Sequence, residues 1–229
     1  NGPYLNRGCE AIIRGTIEIL RKSFDNPQIQ TLSIFHNRDE FDRQISGEYD
    51  HGIEHGLMQP ILKRKSPPWL VYRAMLACGI PYGSIYLRSN RKKFAEATAV
   101  LSIGGDNYSL DYGIPRMYTG LDDHVLKKDT PLIIWGASVG PFSRLPDYEQ
   151  YMRGHLKRVT AVFARESATV EYLDRLGVRD NVYLVADPAF LMKPCIASDI
   201  DIPERAIGLN FSPLMGRYVS GGNRSAWTR

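Results

Sequence analysis

Short apolar runs alternate with stretches of helical spacing along most of the chain, and few folds accept that alternation. Residues 31–36 (TLSIFH), 98–103 (TAVLSI), 131–135 (PLIIW), 159–164 (VTAVFA), 181–186 (NVYLVA) and 206–211 (AIGLNF) are rich in β-branched or aromatic side chains and predict buried strands. Between them Ile13, Ile17 and Leu20 fall three and four apart, as do Leu121 and Val125, and Val170, Leu173 and Leu176. The connections are long enough for crossovers, so the pattern predicts an α/β domain of Rossmann-like type, a parallel sheet covered on both faces. Pro115 suits a first helical position, Ser167 an N-cap, and Gly177 a left-handed C-cap after Leu176.

Other stretches break the alternation. Residues 47–68 are polar, carry His51, His55 and Pro60, and show no clear period, so they read as a long loop or an insertion. Residues 195–204 hold three acids, with Pro194 and Pro203 near their ends, and read as a linker. We therefore expect a Rossmann-like domain over 1–195, a linker over 196–205 and the opening of a second such domain over 206–229. The sequence begins on a loop feeding a helix, without the strand that precedes such a loop in a βαβ unit, and that strand is expected to lie outside it.

Composition narrows the class. Hydrophobic residues at 43% and charged residues at 24% belong to a globular chain rather than a disordered one. A net charge of +4 is only mildly basic, and short clusters at Lys63, Arg64 and Lys65 and at Arg91, Lys92 and Lys93 read as solvated surface or as contacts to an anionic ligand or membrane face. No nucleic-acid partner is expected. Cys9, Cys78 and Cys195 are too few for a disulfide framework and lack zinc spacing, which fits a reducing cytoplasm. No apolar run approaches the roughly 20 residues a membrane span needs. His51 and His55 stand four apart but have no accompanying ligand pattern, so no metal is expected and both read as solvated.

In an open parallel sheet, ligands bind beyond the carboxyl ends of the strands. Asn6, Gly8 and Glu10 stand where a loop enters a helix, with backbone donors and a dipole that favour an anion; a plain tight turn with a first-turn Glu explains them equally well. Gly104, Gly105, Asp106 and Asn107 follow the run 98–103; they suit a polyol and equally suit a turn. Residues 136–142 (GASVGPF) are small and allow close approach, without matching a nucleotide-binding pattern. Arg165 follows 159–164, where its planar fork can take a carboxylate or phosphate; the plainer alternative is a surface pair with Glu166. Asp187 and Pro188 after 181–186 read first as a turn.

Taken in order, NRGCEAI, SIGGDNYS, WGASVGPF, FARESATVEYLDRLGV, VADPAFLM and IGLNFSPL resemble the polysaccharide pyruvyl transferase family from about Asn6 to Leu214. The resemblance implies two Rossmann-like domains arranged as in the type-B glycosyltransferases, of which this chain is the N-terminal one and the start of the next. It implies transfer of the pyruvyl group of phosphoenolpyruvate to two hydroxyls of a sugar, as a ketal, on a cell-surface polysaccharide or its lipid-linked precursor. No cofactor is implied. Arg165 becomes the donor-binding arginine, and Asn6, Gly8, Glu10, Gly105, Asp106 and Asn107 become cleft or acceptor residues. The general acid and base are expected in the C-terminal domain. The chain has GGDN where many relatives carry a run of glycines, a departure that bears on the acceptor or on a related transferase activity. Two alternatives stay open beside the family's activity: a glycosyltransferase of the same architecture using a nucleotide-sugar, and a non-catalytic carbohydrate-binding protein. A cytoplasmic protein peripheral to the inner membrane face would meet such an acceptor.

Overall fold

The computed structural model describes residues 3–80, 90–193, 201–209, 215, 216 and 219. The chain divides into two compact units, Asn1–Lys193 and Pro194–Arg229. In the first, α1 (Arg7–Ser23) is followed by β1 (Ile29–Ser33), α2 (Arg38–Ser46), β2 (Ile53–Leu57), α3 (Pro67–Ala77), α4 (Arg91–Glu96) and β3 (Val100–Ile103). Then come α5 (Arg116–Leu126), β4 (Leu132–Ala137), α6 (Pro146–Leu156), β5 (Ala161–Ala164), α7 (Ser167–Arg175), β6 (Val182–Leu184) and a single 3-10 turn, Pro188–Leu191.

Every strand pair among the described residues is parallel. Strands β1 and β2 form one sheet, and β3, β4, β5 and β6 form a second in that order. The registers place Ile29 opposite Ile53, Val100 opposite Leu132, Ile133 opposite Ala161 and Val162 opposite Val182. Helices separate successive strands of the larger sheet, so the first unit is α/β with parallel sheets and fits a Rossmann-like fold. Its core joins Leu132, Ile134, Val162, Leu121, Val125, Met152, Leu156 and Leu173, and Leu32, Ile34 and Met58 from the β1–β2 region pack against the same cluster. A smaller cluster of Tyr4, Ile13, Ile17 and Ile53 seats α1 on β2.

Five of the predicted strands correspond to β1, β3, β4, β5 and β6, with ends trimmed or shifted by a few residues. The sixth is a correction: residues 206–209 form no strand, the Ala206 amide instead donating to the Pro203 carbonyl at 3.0 Å, and 210–211 lie outside the described residues. Residues 47–68 are a second correction, because they contain β2 and the start of α3. β2 reads IEHGL, and its polar members serve a polar purpose. His55 lies 2.8 Å from Thr31 Oγ1 and 2.8 Å from Glu48 Oε2, so this side chain is buried in a network rather than solvated.

The helix ends follow local chemistry. Asn6 caps α1, its Oδ1 accepting from the Gly8 and Cys9 amides at 3.0 and 3.3 Å, and Arg21 and Lys22 face the negative end of the dipole. Pro115 and Ser167 each fall one residue from the predicted place: Pro115 is the cap of α5, and Ser167 opens α7 behind Glu166. Gly177 has φ of 76° after α7, with the Gly177 amide bonded to Asp174 O and the Val178 amide to Leu173 O, a Schellman ending closed by the buried Leu173 and Val178.

Candidate active site

The carboxyl ends of β3, β4, β5 and β6 gather the loops singled out by sequence. Beyond their paired registers, β3 and β4 stay joined: the Ser138 amide donates to Gly105 O at 2.7 Å, the Gly140 amide to Tyr108 O at 2.9 Å, and Tyr108 bridges to Val139. The two loops therefore form one continuous rim.

Tyr108 fixes that rim from below. Its side chain is fully buried, its hydroxyl lies 2.6 Å from Ser102 Oγ, and it donates to Asp122 of α5 at 2.8 Å. Asp122 also lies 3.0 Å from His155 Nε2 of α6. Burial and the Asp122 carboxylate push the Tyr108 phenol well above its ordinary range, so it remains a donor. Burial likewise raises the Asp122 carboxyl, against the opposing pull of His155 and Tyr108. This network is support for the loop above it.

Within residues 104–109 the side chains divide. The Asn107 amide turns inward and donates to Ile103 O at 3.0 Å, and a Cβ on Gly104 would fall 1.8 Å from it. Asp106 is half-buried, and its carboxylate has no hydrogen-bond or ion-pair partner among the described residues. Gly105 leaves room for a neighbour: a Cβ there would fall 2.9 Å from Arg165 Nη1. The absent side chain is what lets the guanidinium lie against the loop.

Arg165 is placed at the centre of the rim. Its Nε donates to Ser138 Oγ at 3.1 Å and its Nη1 to Asp187 Oδ2 at 2.8 Å, while Nη2 makes no hydrogen bond among the described residues. The side chain is 25% exposed. Glu166, the partner considered from sequence, instead accepts from the Thr169 hydroxyl. Asp187 reaches the site because β6 lies beside β5, and its other oxygen accepts from the Ala189 amide and holds the 3-10 turn. Ser138 and Asp187 are thus the rim residues that sequence reasoning undervalued; Ser138 directly follows β4, the signal that singled out Arg165 after β5, and Asp187 stands three residues beyond the end of β6.

The N-terminus of α1 is occupied by its own chemistry. Asn6 is the cap, Gly8 donates to it, and Glu10 pairs with Arg7 at 2.7 Å and Arg14 at 3.4 Å. Nevertheless this turn stands near the β3 loop: Tyr118 of α5 is pushed up to about 12, first by burial and then by Cys9 and Asp106. Further along α1, a Cβ on Gly15 would fall 1.7 Å from Pro188 O, so helix and 3-10 turn approach through the missing side chain. The structure brings Gly105, Asp106, Arg165, Ser138 and Asp187 to one rim, turns Asn107 into it as a brace, and leaves Asn6, Gly8 and Glu10 as a capped helix start. Among the described residues no group of three or more His, Cys, Asp or Glu could hold a metal ion.

No curated protein and no solved structure gives a significant match to the chain. The model of the family described as polysaccharide pyruvyl transferase matches residues 6–224, nearly the whole length, and spans every loop of the rim. The chain therefore belongs to the polysaccharide pyruvyl transferase family, and it is a transferase.

Proposed function

We propose that the rim binds phosphoenolpyruvate through Arg165 and that the protein moves its pyruvyl group onto two hydroxyls of one sugar in a glycan, carried by a cell-surface polysaccharide or its lipid-linked precursor. Two C–O bonds form at C2 of the enolpyruvate while its bond to the phosphate oxygen breaks. One hydroxyl proton ends on the methylene carbon, making the ketal's methyl group, and the other leaves with inorganic phosphate. The observation that carries the reading is a guanidinium at the carboxyl edge of β5, oriented from two sides by Ser138 and Asp187, with Nη2 unengaged among the described residues. A planar fork so oriented suits a carboxylate or phosphate better than an ammonium does.

Asp106 is the acceptor-side candidate, since its carboxylate has no hydrogen-bond or ion-pair partner among the described residues and the residue follows Gly105, against which the arginine lies. We assign Asn6, Gly8 and Glu10, at the capped start of α1, to the acceptor side of the same site. We read this unit as one of the two Rossmann-like domains of an architecture like that of the type-B glycosyltransferases. Calorimetry with phosphoenolpyruvate and with a panel of nucleotide-sugars tests the donor: phosphoenolpyruvate alone should bind, and binding of a nucleotide-sugar alone would turn the protein into a glycosyltransferase. Phosphate release from phosphoenolpyruvate that depends on a glycan acceptor tests the transfer.

A further inference from the structure

Helix α3 is apolar on every side, with Arg73 its one charged residue, and it has no buried residue. A helix of that composition is ordinarily enclosed. Here Leu70 and Val71 are 54% and 59% exposed, and Trp69, Tyr72, Met75 and Leu76 are only half-covered. What lies against this helix must be apolar.

The charge around it says what else the cover must be. Between Met58 and Ile80 there is no Asp or Glu, while Lys63, Arg64, Lys65 and Arg73 are all exposed. None of the four forms an ion pair among the described residues, and Arg73 lies over the Trp69 ring at 5.8 Å. The basic triplet sits in the turn immediately before the helix, where the Ser66 amide bonds to Lys63 O and Ser66 Oγ caps Trp69 N. The positive end of the helix dipole therefore adds to the cluster.

We propose that α3 and the basic turn before it dock on an anionic lipid surface. The helix lies along the headgroup layer, with Leu70 and Val71 at the acyl boundary, Trp69 and Tyr72 at the interface that suits rings with a polar tip, and the four cations at lipid phosphates. At 11 residues α3 is about 16 Å long, enough to lie on a bilayer and too short to cross one. A second copy of the chain is a poorer cover, because a two-fold contact sets the same cationic patch against itself. Docking of this kind would hold the rim near a lipid-linked glycan, yet it stands independently of the pyruvyl transfer, since vesicle binding needs neither donor nor acceptor.

Co-sedimentation of the full chain with vesicles of phosphatidylcholine, and of an equal mixture of phosphatidylcholine and phosphatidylglycerol, tests the assignment. Binding is expected to the mixed vesicles only and to weaken with added salt. The triple variant Lys63→Glu, Arg64→Glu, Lys65→Glu should lower partitioning about a hundredfold or more. The double variant Leu70→Ser, Val71→Ser should also lower it, with melting curves that match the wild type because these side chains are already exposed. Equal binding to neutral and anionic vesicles, or unchanged partitioning of both variants, would overturn the proposal. So would a dimer in solution that the double variant converts to monomer, which would make a second copy the cover.

Discussion

Arg165 divides its guanidinium: Nε and Nη1 are spent on Ser138 and Asp187, while Nη2 makes no hydrogen bond among the described residues and is the nitrogen we propose for the ligand. Lysine cannot reproduce three directions at once. We expect Arg165→Lys to weaken phosphoenolpyruvate binding by about tenfold, the equivalent of 1.4 kcal/mol, with the melting temperature nearly unchanged because a cation still faces Asp187. Calorimetry on the folded variant reads this directly, and a variant that unfolds would make the arginine structural. Tyr108→Phe tests the support below. It leaves the buried Asp122 carboxylate one donor short, so stability should fall by about 1–3 kcal/mol in urea unfolding. At this scale the sequence located Arg165 through its position after a strand, but Glu166 looked like its natural partner. The actual partner is Asp187, which only the pairing of β5 with β6 brings within reach.

Elements meet where side chains are missing. A Cβ on Gly15 would strike the carbonyl of Pro188, a backbone atom that cannot rotate away, whereas Gly154 on the exposed side of α6 has nothing within 4 Å. The same substitution should therefore have opposite signs at the two sites. Gly154→Ala is expected to raise stability by about 0.5–1 kcal/mol through helix propensity. Gly15→Ala should lower it by about 1–3 kcal/mol as α1 and the 3-10 turn are forced apart, which thermal melts of the pair would show. The elements legible in the sequence were those whose burial is apolar throughout, such as β4 with Leu132 and Ile134 at 0% exposure. β2 was not, because one of its inward positions is His55 and its signal as a strand lies in hydrogen bonds. α3 was not either, since a helix apolar all round has no period to detect.

Across the first unit, one buried polar cluster ties four elements together, and it makes the molecule's stability depend on pH. Arg14 of α1 lies between the rings of Tyr4 and Tyr49, at 4.9 and 4.3 Å, and donates to Glu48 Oε1 at 2.7 Å. Glu48 also meets His55 of β2, whose other nitrogen faces Thr31 of β1 and Gln44 of α2. Burial works against the charged form of Glu48, but hydrogen bonds from Arg14, the Asp50 amide and His55 outweigh it and hold the carboxyl below its ordinary range. A carboxyl with a lower pKa folded than unfolded contributes stability at neutral pH, and that contribution disappears as the unfolded chain takes up its proton first on acidification. Wild-type stability in urea should accordingly fall from about pH 5 to pH 3, and Glu48→Gln should be less stable at neutral pH but flatter across that window. Removing Arg14 takes the guanidinium away from a buried carboxylate that keeps only the Asp50 amide and His55, so Arg14→Met should cost about 3–5 kcal/mol. Adding Glu48→Leu to Arg14→Met should restore much of the loss, because the buried carboxylate left without its guanidinium is then gone as well. If the double variant is no better than Arg14→Met, the two rings flanking Arg14, rather than the ion pair, are what the arginine supports.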